Sequence, residues 1–259
     1  MDSRLNRMPA PVTLPRRSWG DPAAARRALL VHGLGSSAAL MWRFGVALAD
    51  DGWRADAVDL RGHGDAPRAL DYTLEAYAAD LAATRAASGS WDLVIGHSLG
   101  GAAATLVASR DQSWAKRLVL VDPAIHLTAA DRENVRVSQE EAFADPSVEA
   151  VRAQHPSWHE IDIELKATAA QQASRWAVEQ TSAQNADWDV RDAAVRLVVP
   201  THVIASDPAV FSLFAGKPAA EVVHENRSIT MSVVTGAGHS PHRDKPDDTI
   251  AHLREALRR

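Results

Sequence analysis

The sequence predicts an α/β protein with a mostly parallel central sheet, flanking helices and one helical insertion. Three observations predict it. Apolar runs of strand length alternate with helix-like stretches, the pattern that builds parallel crossovers. The runs are continuously apolar, which fits strands buried on both faces. Between Ala124 and Val190 the alternation stops and no strand run is found.

In chain order the strand runs are RALLVHG (27–33), RADAVDL (54–60), WDLVIG (91–96), KRLVLVD (116–122), RLVVPTHVIAS (196–206) and SITMSVVTG (228–236). Helical patterns lie near 37–50, 73–88, 99–110 and 244–258. In the insertion, DPSVEAVRAQ (145–154) offers Asp145 as an N-cap and Pro146 at the first helical position. Trp158, Ile161 and Leu165, continued by Ala169, Gln172 and Trp176, trace one helical face. The expected division is a core of 1–123 and 191–259 with a helical cap of 124–190. That cap holds 12 acidic residues against 5 basic ones (Arg132, Arg136, Arg152, Lys166 and Arg175), a net −7 in a chain whose total is −5. An acidic lid argues against a highly anionic substrate.

A chain of 259 residues is long enough to bury ~70–75% of its unfolded surface without a covalent staple. It has no cysteine, which removes disulfides, thiolate metal sites and cysteine nucleophiles together and fits a reducing, cytoplasmic setting. The opening MDSRLNRMPAPVTLPRRSWG lacks the apolar core of a signal peptide, and no window approaches the 18 or so apolar residues of a membrane span. No strong basic patch points to nucleic acid. Arg4, Arg7, Arg16 and Arg17 read as a frayed terminus.

The stretch LVIGHSLGGAAAT (93–105) carries the chemistry. A G-x-S-x-G sequence between a strand and a helix is a nucleophile elbow. The glycines at 96 and 100 make room where backbone packs on backbone, and Ser98 is lifted to the carboxyl edge of the sheet. The helix N-terminus behind it supplies free N–H groups, so the N–H of Leu99 would face an oxyanion formed beside Ser98. A serine hydroxyl needs a base to take its proton and a carboxylate to orient that base. VVTGAGHSPHRDKPDD (233–248) supplies His239 in a glycine-bounded loop, with His242 as its neighbour and rival, and VIASDPAVF (203–211) supplies Asp207 after the preceding strand.

The order Ser, Asp, His on these elements resembles the α/β-hydrolase superfamily. VHGLGSS (31–37) looks like its oxyanion loop, with the N–H of Leu34 as second donor, and DLRGHGDA (59–66) looks like the turn after the next strand. The resemblance covers roughly 12–123 and 191–259, with the insertion where the family carries its cap. It implies a triad of Ser98, His239 and Asp207. The acid loop departs from the commoner pattern, since Ala205 takes the glycine's place and the acid comes one residue early. Asp122, after LVLV, is the alternative acid.

The implied activity is hydrolysis of an ester, thioester or lactone of a small to medium, largely apolar molecule through an acyl-enzyme, without a cofactor. The same triad also serves carbon–carbon bond hydrolysis and cofactor-free peroxyacid formation, and a ligand-binding protein with an idle triad is the reading outside enzymes. The expected substrate site is completed by His32 and His97 from the motif loops and by Trp158, Trp176 and Phe211 as apolar walls. His155 and His159 have ligand spacing but lack the H-E-x-x-H order, so no metal is expected. HRD at 242–244 has neither a phosphate loop before it nor D-F-G after it, which excludes a kinase reading.

Overall fold

The computed structural model describes residues 9–258; Arg4 and Arg7 of the basic terminus lie outside the described residues. Seven strands form one sheet: β1 (Arg16–Trp19), β2 (Arg26–Val31), β3 (Trp53–Val58), β4 (Leu93–His97), β5 (Leu118–Val121), β6 (Thr201–Ser206) and β7 (Ile229–Val234). Their order is β1-β3-β2-β4-β5-β6-β7. β1 runs antiparallel to β3, and every other pairing is parallel. The six apolar runs coincide with β2 to β7. The apolar pattern does not reveal β1, RRSW, because it is an edge strand with three of its four residues exposed, and charge is what blunts such an edge.

The continuous apolar runs are explained by two layers of core. Leu29, Val31, Val94, Leu120 and Val203 face α2 (Leu74–Ala83) and α3 (Leu99–Arg110). Leu30, Ile95, Val119, Val121 and Ile204 face Phe44 and Leu48 of α1 (Trp42–Asp50) on the other side, with Leu253 of the C-terminal helix. Alternate residues of each strand enter different layers, so both must be apolar. Each fully buried Leu or Ile contributes about 1.5–3 kcal/mol.

One ion pair lies inside this packing. Both carboxylate oxygens of Asp80, on α2, accept from the Arg61 guanidinium at 2.6 Å, with the side chains 0% and 1% exposed. Arg61 also donates to Asp71 O, and Asp80 accepts from Val12 N, so the pair ties three segments together. Asp80→Ala would strand a buried guanidinium. A loss of about 3–5 kcal/mol in urea-unfolding free energy is expected; a change below 1 kcal/mol would show that water reaches Arg61.

The insertion after β5 holds four helices: α4 (Ala129–Ala144), α5 (Val148–Gln154), α6 (Glu160–Gln172) and α7 (Arg175–Gln184). Each opens on a side-chain cap: the Thr128–Asp131 capping box, Ser147, His159 and Ser174 respectively. The chain enters and leaves through a narrow neck, where Val190 N donates to Ile125 O (2.8 Å) and Leu127 N to Trp188 O (3.1 Å).

Two expectations for the insertion are corrected. Asp145 ends α4 and accepts from Ser147 N, while Ser147 is the true N-cap; the residue before a proline is driven out of the helical region. The face through Trp158, Ile161, Ala169 and Trp176 is buried only in part: Trp158 and Ala169 are buried, but Ile161 and Trp176 are 42% and 45% exposed. α6 turns Asp162, Ile163, Ala167, Ala169 and Ala170 inward. Asp162 sets that rotation by accepting from Trp42 Nε1 (2.8 Å) and from the Arg43 guanidinium (2.6 and 2.9 Å).

After the insertion come α8 (Arg191–Val195), α9 (Gly216–Glu225), the single turn α10 (Pro241–Asp244) and α11 (Pro246–Arg258). Among the described residues no helix is long and apolar enough to cross a membrane.

Candidate active site

β4 ends at His97 and α3 begins at Leu99, which leaves Ser98 alone to make the turn. It does so at φ 53, ψ −118, a conformation that costs a non-glycine residue about 1–3 kcal/mol. The turn is held by its surroundings: Ser98 N donates to Val121 O, and Ser98 O accepts from Ala102 N and Ala124 N. The elbow glycines are there for room. A Cβ on Gly96 would lie 2.7 Å from Gly100 O, and one on Gly100 would lie 2.5 Å from Val31 O.

His239 follows β7 and brings its imidazole to Ser98. Its Nε2 accepts from the Ser98 hydroxyl (2.9 Å), and its Nδ1–H donates to Asp122 Oδ2 (2.7 Å). The acid beside the histidine is therefore Asp122, not Asp207. β5 and β6 are neighbours, so both aspartates leave the same sheet edge, but their side chains part. Asp207 is half-buried and spends its oxygens on Gly236 N and Ala209 N, bracing the base of the histidine loop. Asp122 turns inward at φ 37 and is fully buried.

The loop after β6 wraps over Asp122. Ser212 Oγ donates to it (2.5 Å), as do Leu213 N (3.0 Å), Phe214 N and Ser206 N (both 3.3 Å). Burial pushes the Asp122 carboxyl up in pKa. The bonds and charge of His239 and the donation from Ser212 outweigh that and hold it below its ordinary value. Ser212 is a member of this network that sequence reasoning missed, since a serine in a loop carries no signal of its own.

Leu34 and Leu99 are the expected oxyanion donors. They line one narrow cavity with Ser98, of about 20 Å³, together with Leu127, Val135, Trp188 and Leu213. Neither backbone N–H is taken by another main-chain carbonyl among the described residues. The Leu34 loop is set from below by two buried histidines. His32 Nδ1–H donates to Gly33 O and its Nε2 accepts from Leu60 N. His63 Nδ1–H donates to Arg61 O and its Nε2 accepts from Gly35 N. Burial lowers them to about 4 and about 3, so both are neutral, as these bonds require. From above, Lys166 of α6 donates to Gly35 O (2.9 Å). Burial, then the Arg243 charge, lowers this ammonium to about 8.

These placements revise the expected substrate site. Both ring nitrogens of His32 are engaged, so it shapes the loop and does not contact substrate. His97 is buried, and its Nε2–H donates to His239 O (2.8 Å), which positions the histidine loop. Burial, then the neighbouring His239, keeps it well below its ordinary pKa. Trp158 is buried against His155, stacked at 3.7 Å, and donates to Asp244 Oδ1; Trp176 stands outside against Tyr72. Phe211 alone of the three aromatics meets the site, edge-on to the His239 ring at 6.1 Å. His242, the rival base, packs behind His97 and Phe44. No group of three metal-ligating side chains is found among the described residues. A wider groove of about 490 Å³ between α1 and α11 carries none of these residues.

Comparison with known proteins gives the same family. The alpha/beta hydrolase family profile matches residues 28–253. Lipase LipV of Mycobacterium tuberculosis is 33% identical over 126 residues, 48% of this chain and 46% of that protein. A pimeloyl-[acyl-carrier protein] methyl ester esterase of Neisseria meningitidis is 36% identical over 110 residues, 42% of this chain and 41% of that one. The matches thus span less than half the length of these curated relatives. Among solved structures, an esterase from Exiguobacterium antarcticum superposes with a TM-score of 0.75 at 16% identity, over 95% of this chain and 96% of that one; it speaks for the fold. The parallel sheet, the elbow and the family match agree: this chain belongs to the alpha/beta hydrolase family.

Proposed function

We propose that this chain is a serine hydrolase acting on carboxylic esters or their thioester and lactone equivalents, with Ser98, His239 and Asp122 as its triad. The observation that carries the reading is the unbroken line from Asp122 through both nitrogens of His239 to the Ser98 hydroxyl, at 2.7 and 2.9 Å. His239 takes the Ser98 proton as Oγ attacks the carbonyl carbon. The N–H groups of Leu34 and Leu99 receive the oxyanion, each such donor being worth about 3–4 kcal/mol of transition-state stabilisation. Asp122 keeps Nδ1 protonated, so that Nε2 is free to accept, and stabilises the imidazolium that forms. The imidazolium protonates the leaving oxygen or sulfur. Water, activated by the same Nε2, then releases the acyl group.

The helices of 124–190 act as the lid in this reading. The cavity at Ser98 is narrow and mostly apolar, and the acyl group enters by displacing the α4 side chains that close it. Named relatives that are a lipase and a methyl ester esterase support ester chemistry.

The test is turnover of a panel of p-nitrophenyl esters, thioesters and lactones, with mass spectrometry of the fluorophosphonate-treated protein. Turnover on the panel and an adduct on the peptide holding Ser98 are expected. Neither turnover nor adduct would overturn the assignment, and cleavage of diketones without esters would move it to carbon–carbon hydrolysis.

A further inference from the structure

The insertion holds 12 acids and 5 bases, so a base there has carboxylates to spare around it. Three of the five use them: Arg136 pairs with Glu133 and Glu140, Arg152 with Glu160 and Arg175 with Glu179. Arg132 and Lys166 have no carboxylate within 4 Å among the described residues. They are also the two that turn toward the site, Lys166 onto Gly35 O and Arg132 into the cavity shared with Ser98, Leu34 and Leu99. In a segment of net charge −7 the two cations left over are one held on the Leu34 loop and one lining the cavity of Ser98.

Arg132 is the charged residue lining that cavity, in walls that are otherwise apolar apart from Ser98 and Ser182. It is half-buried, and its Nη1 donates to Leu127 O (3.0 Å). Its Nε and Nη2 have no partner among the described residues, so part of the planar fork that grips carboxylates stays open. The acids next to it are engaged elsewhere: Asp131 closes the α4 capping box with Thr128, and Glu133 holds Arg136. A half-buried guanidinium without a counter-charge is left with unused donors beside the nucleophile's cavity, and an anion entering that cavity can take them. Two charge-assisted bonds to one carboxylate also fix its orientation.

We infer that the substrate carries a carboxylate and that Arg132 binds it: the class is the monoester, or its thioester or lactone equivalent, of a small dicarboxylic acid. The inference rests on the serine hydrolase reading for the bond that is cleaved, and on Arg132 for the group that is recognised. It reverses the expectation drawn from the acidic insertion, none of whose carboxylates lines the cavity at Ser98.

The experiment compares p-nitrophenyl hemiglutarate with p-nitrophenyl valerate, which match in length and differ in the terminal carboxylate. The wild type is expected to favour the hemiglutarate in kcat/KM. Arg132→Gln is expected to lower the hemiglutarate-to-valerate ratio about 10- to 100-fold, the range for a buried hydrogen bond to a charged group, mostly through KM. Arg132→Lys should restore part of the ratio, and Arg132→Glu should push it below that of the Gln variant. An unchanged ratio across the three variants overturns the inference. Binding separates recognition from chemistry: glutarate titrated calorimetrically into Ser98→Ala should bind, and at least tenfold more weakly once Arg132→Gln is added. Glutarate binding that depends on Arg132, in a protein that hydrolyses no ester, would support the anion site and overturn the hydrolase reading. Ester turnover with glutarate binding indifferent to Arg132 would do the reverse.

Discussion

Ser98→Ala is expected to lower kcat on a p-nitrophenyl ester by about 10⁶-fold, the loss seen when a triad serine is removed from a comparable site. The substitution deletes one oxygen. It keeps the Cβ, and the backbone bonds to Val121, Ala102 and Ala124 are untouched. The melting temperature should therefore stay within a few degrees. The strained turn gives a second, independent readout. At φ 53 an alanine is as strained as a serine, while a glycine is not. Ser98→Gly should be as inactive as Ser98→Ala yet more stable than it, by up to about 1 kcal/mol. Residual kcat above about 1% in either variant would remove Ser98 from the mechanism. A glycine variant less stable than the alanine one would show that the elbow is not strained.

Asp122→Asn is expected to reduce kcat by about 10⁴-fold, because an amide that presents N–H to His239 favours the wrong tautomer. Asp207→Asn should stay within about twofold, the usual range for a surface change. The reverse pattern would make Asp207 the acid. Stability supplies a further check. The Asp122 oxygens accept from five donors; the asparagine would turn an N–H toward one of them, at a cost of about 1–3 kcal/mol. The folded Asp122 carboxyl lies below its ordinary value of 3.8. Its contribution is therefore present above the unfolded pKa and is lost as pH falls through the folded one. The stability gap between wild type and Asp122→Asn should be full at neutral pH and should narrow as pH drops below 3.8.

Why the choice between the two acids was not legible in the sequence is visible in the sheet. Val121 pairs with Ile204, so Asp122 and Asp207 stand at two neighbouring strand ends. Sequence order reports which strand ends carry a carboxylate, but not which of them faces the histidine. That is decided by the positive φ at Asp122 and by the loop through Ser212 and Leu213 that closes over it, contacts spanning about 90 positions along the chain. The elbow was legible because its glycines act locally, on backbone a few residues or one strand away. The parallel strands were legible because burial on both faces leaves a continuous apolar run. β1 was not, since an exposed edge needs no apolar residue, and α9 was not, since its core contact is reduced to Ala219 and Val222. The insertion misled for another reason. Its orientation is set by a buried carboxylate, Asp162, and not by an apolar stripe.

The neck of the insertion has a consequence for how such a chain can change. Ile125 and Leu127 on the way in are clamped to Val190 and Trp188 on the way out, so the two ends of the segment are held at a fixed width whatever lies between them. For a flexible connection tied at both ends, doubling its length costs only about 0.6 kcal/mol of closure entropy. The sheet therefore offers a socket of constant gauge. Segments of different length or charge can be exchanged at 128–187 while Ser98, Asp122 and His239 stay in register, so the choice of substrate can drift without reopening the problem of folding the sheet.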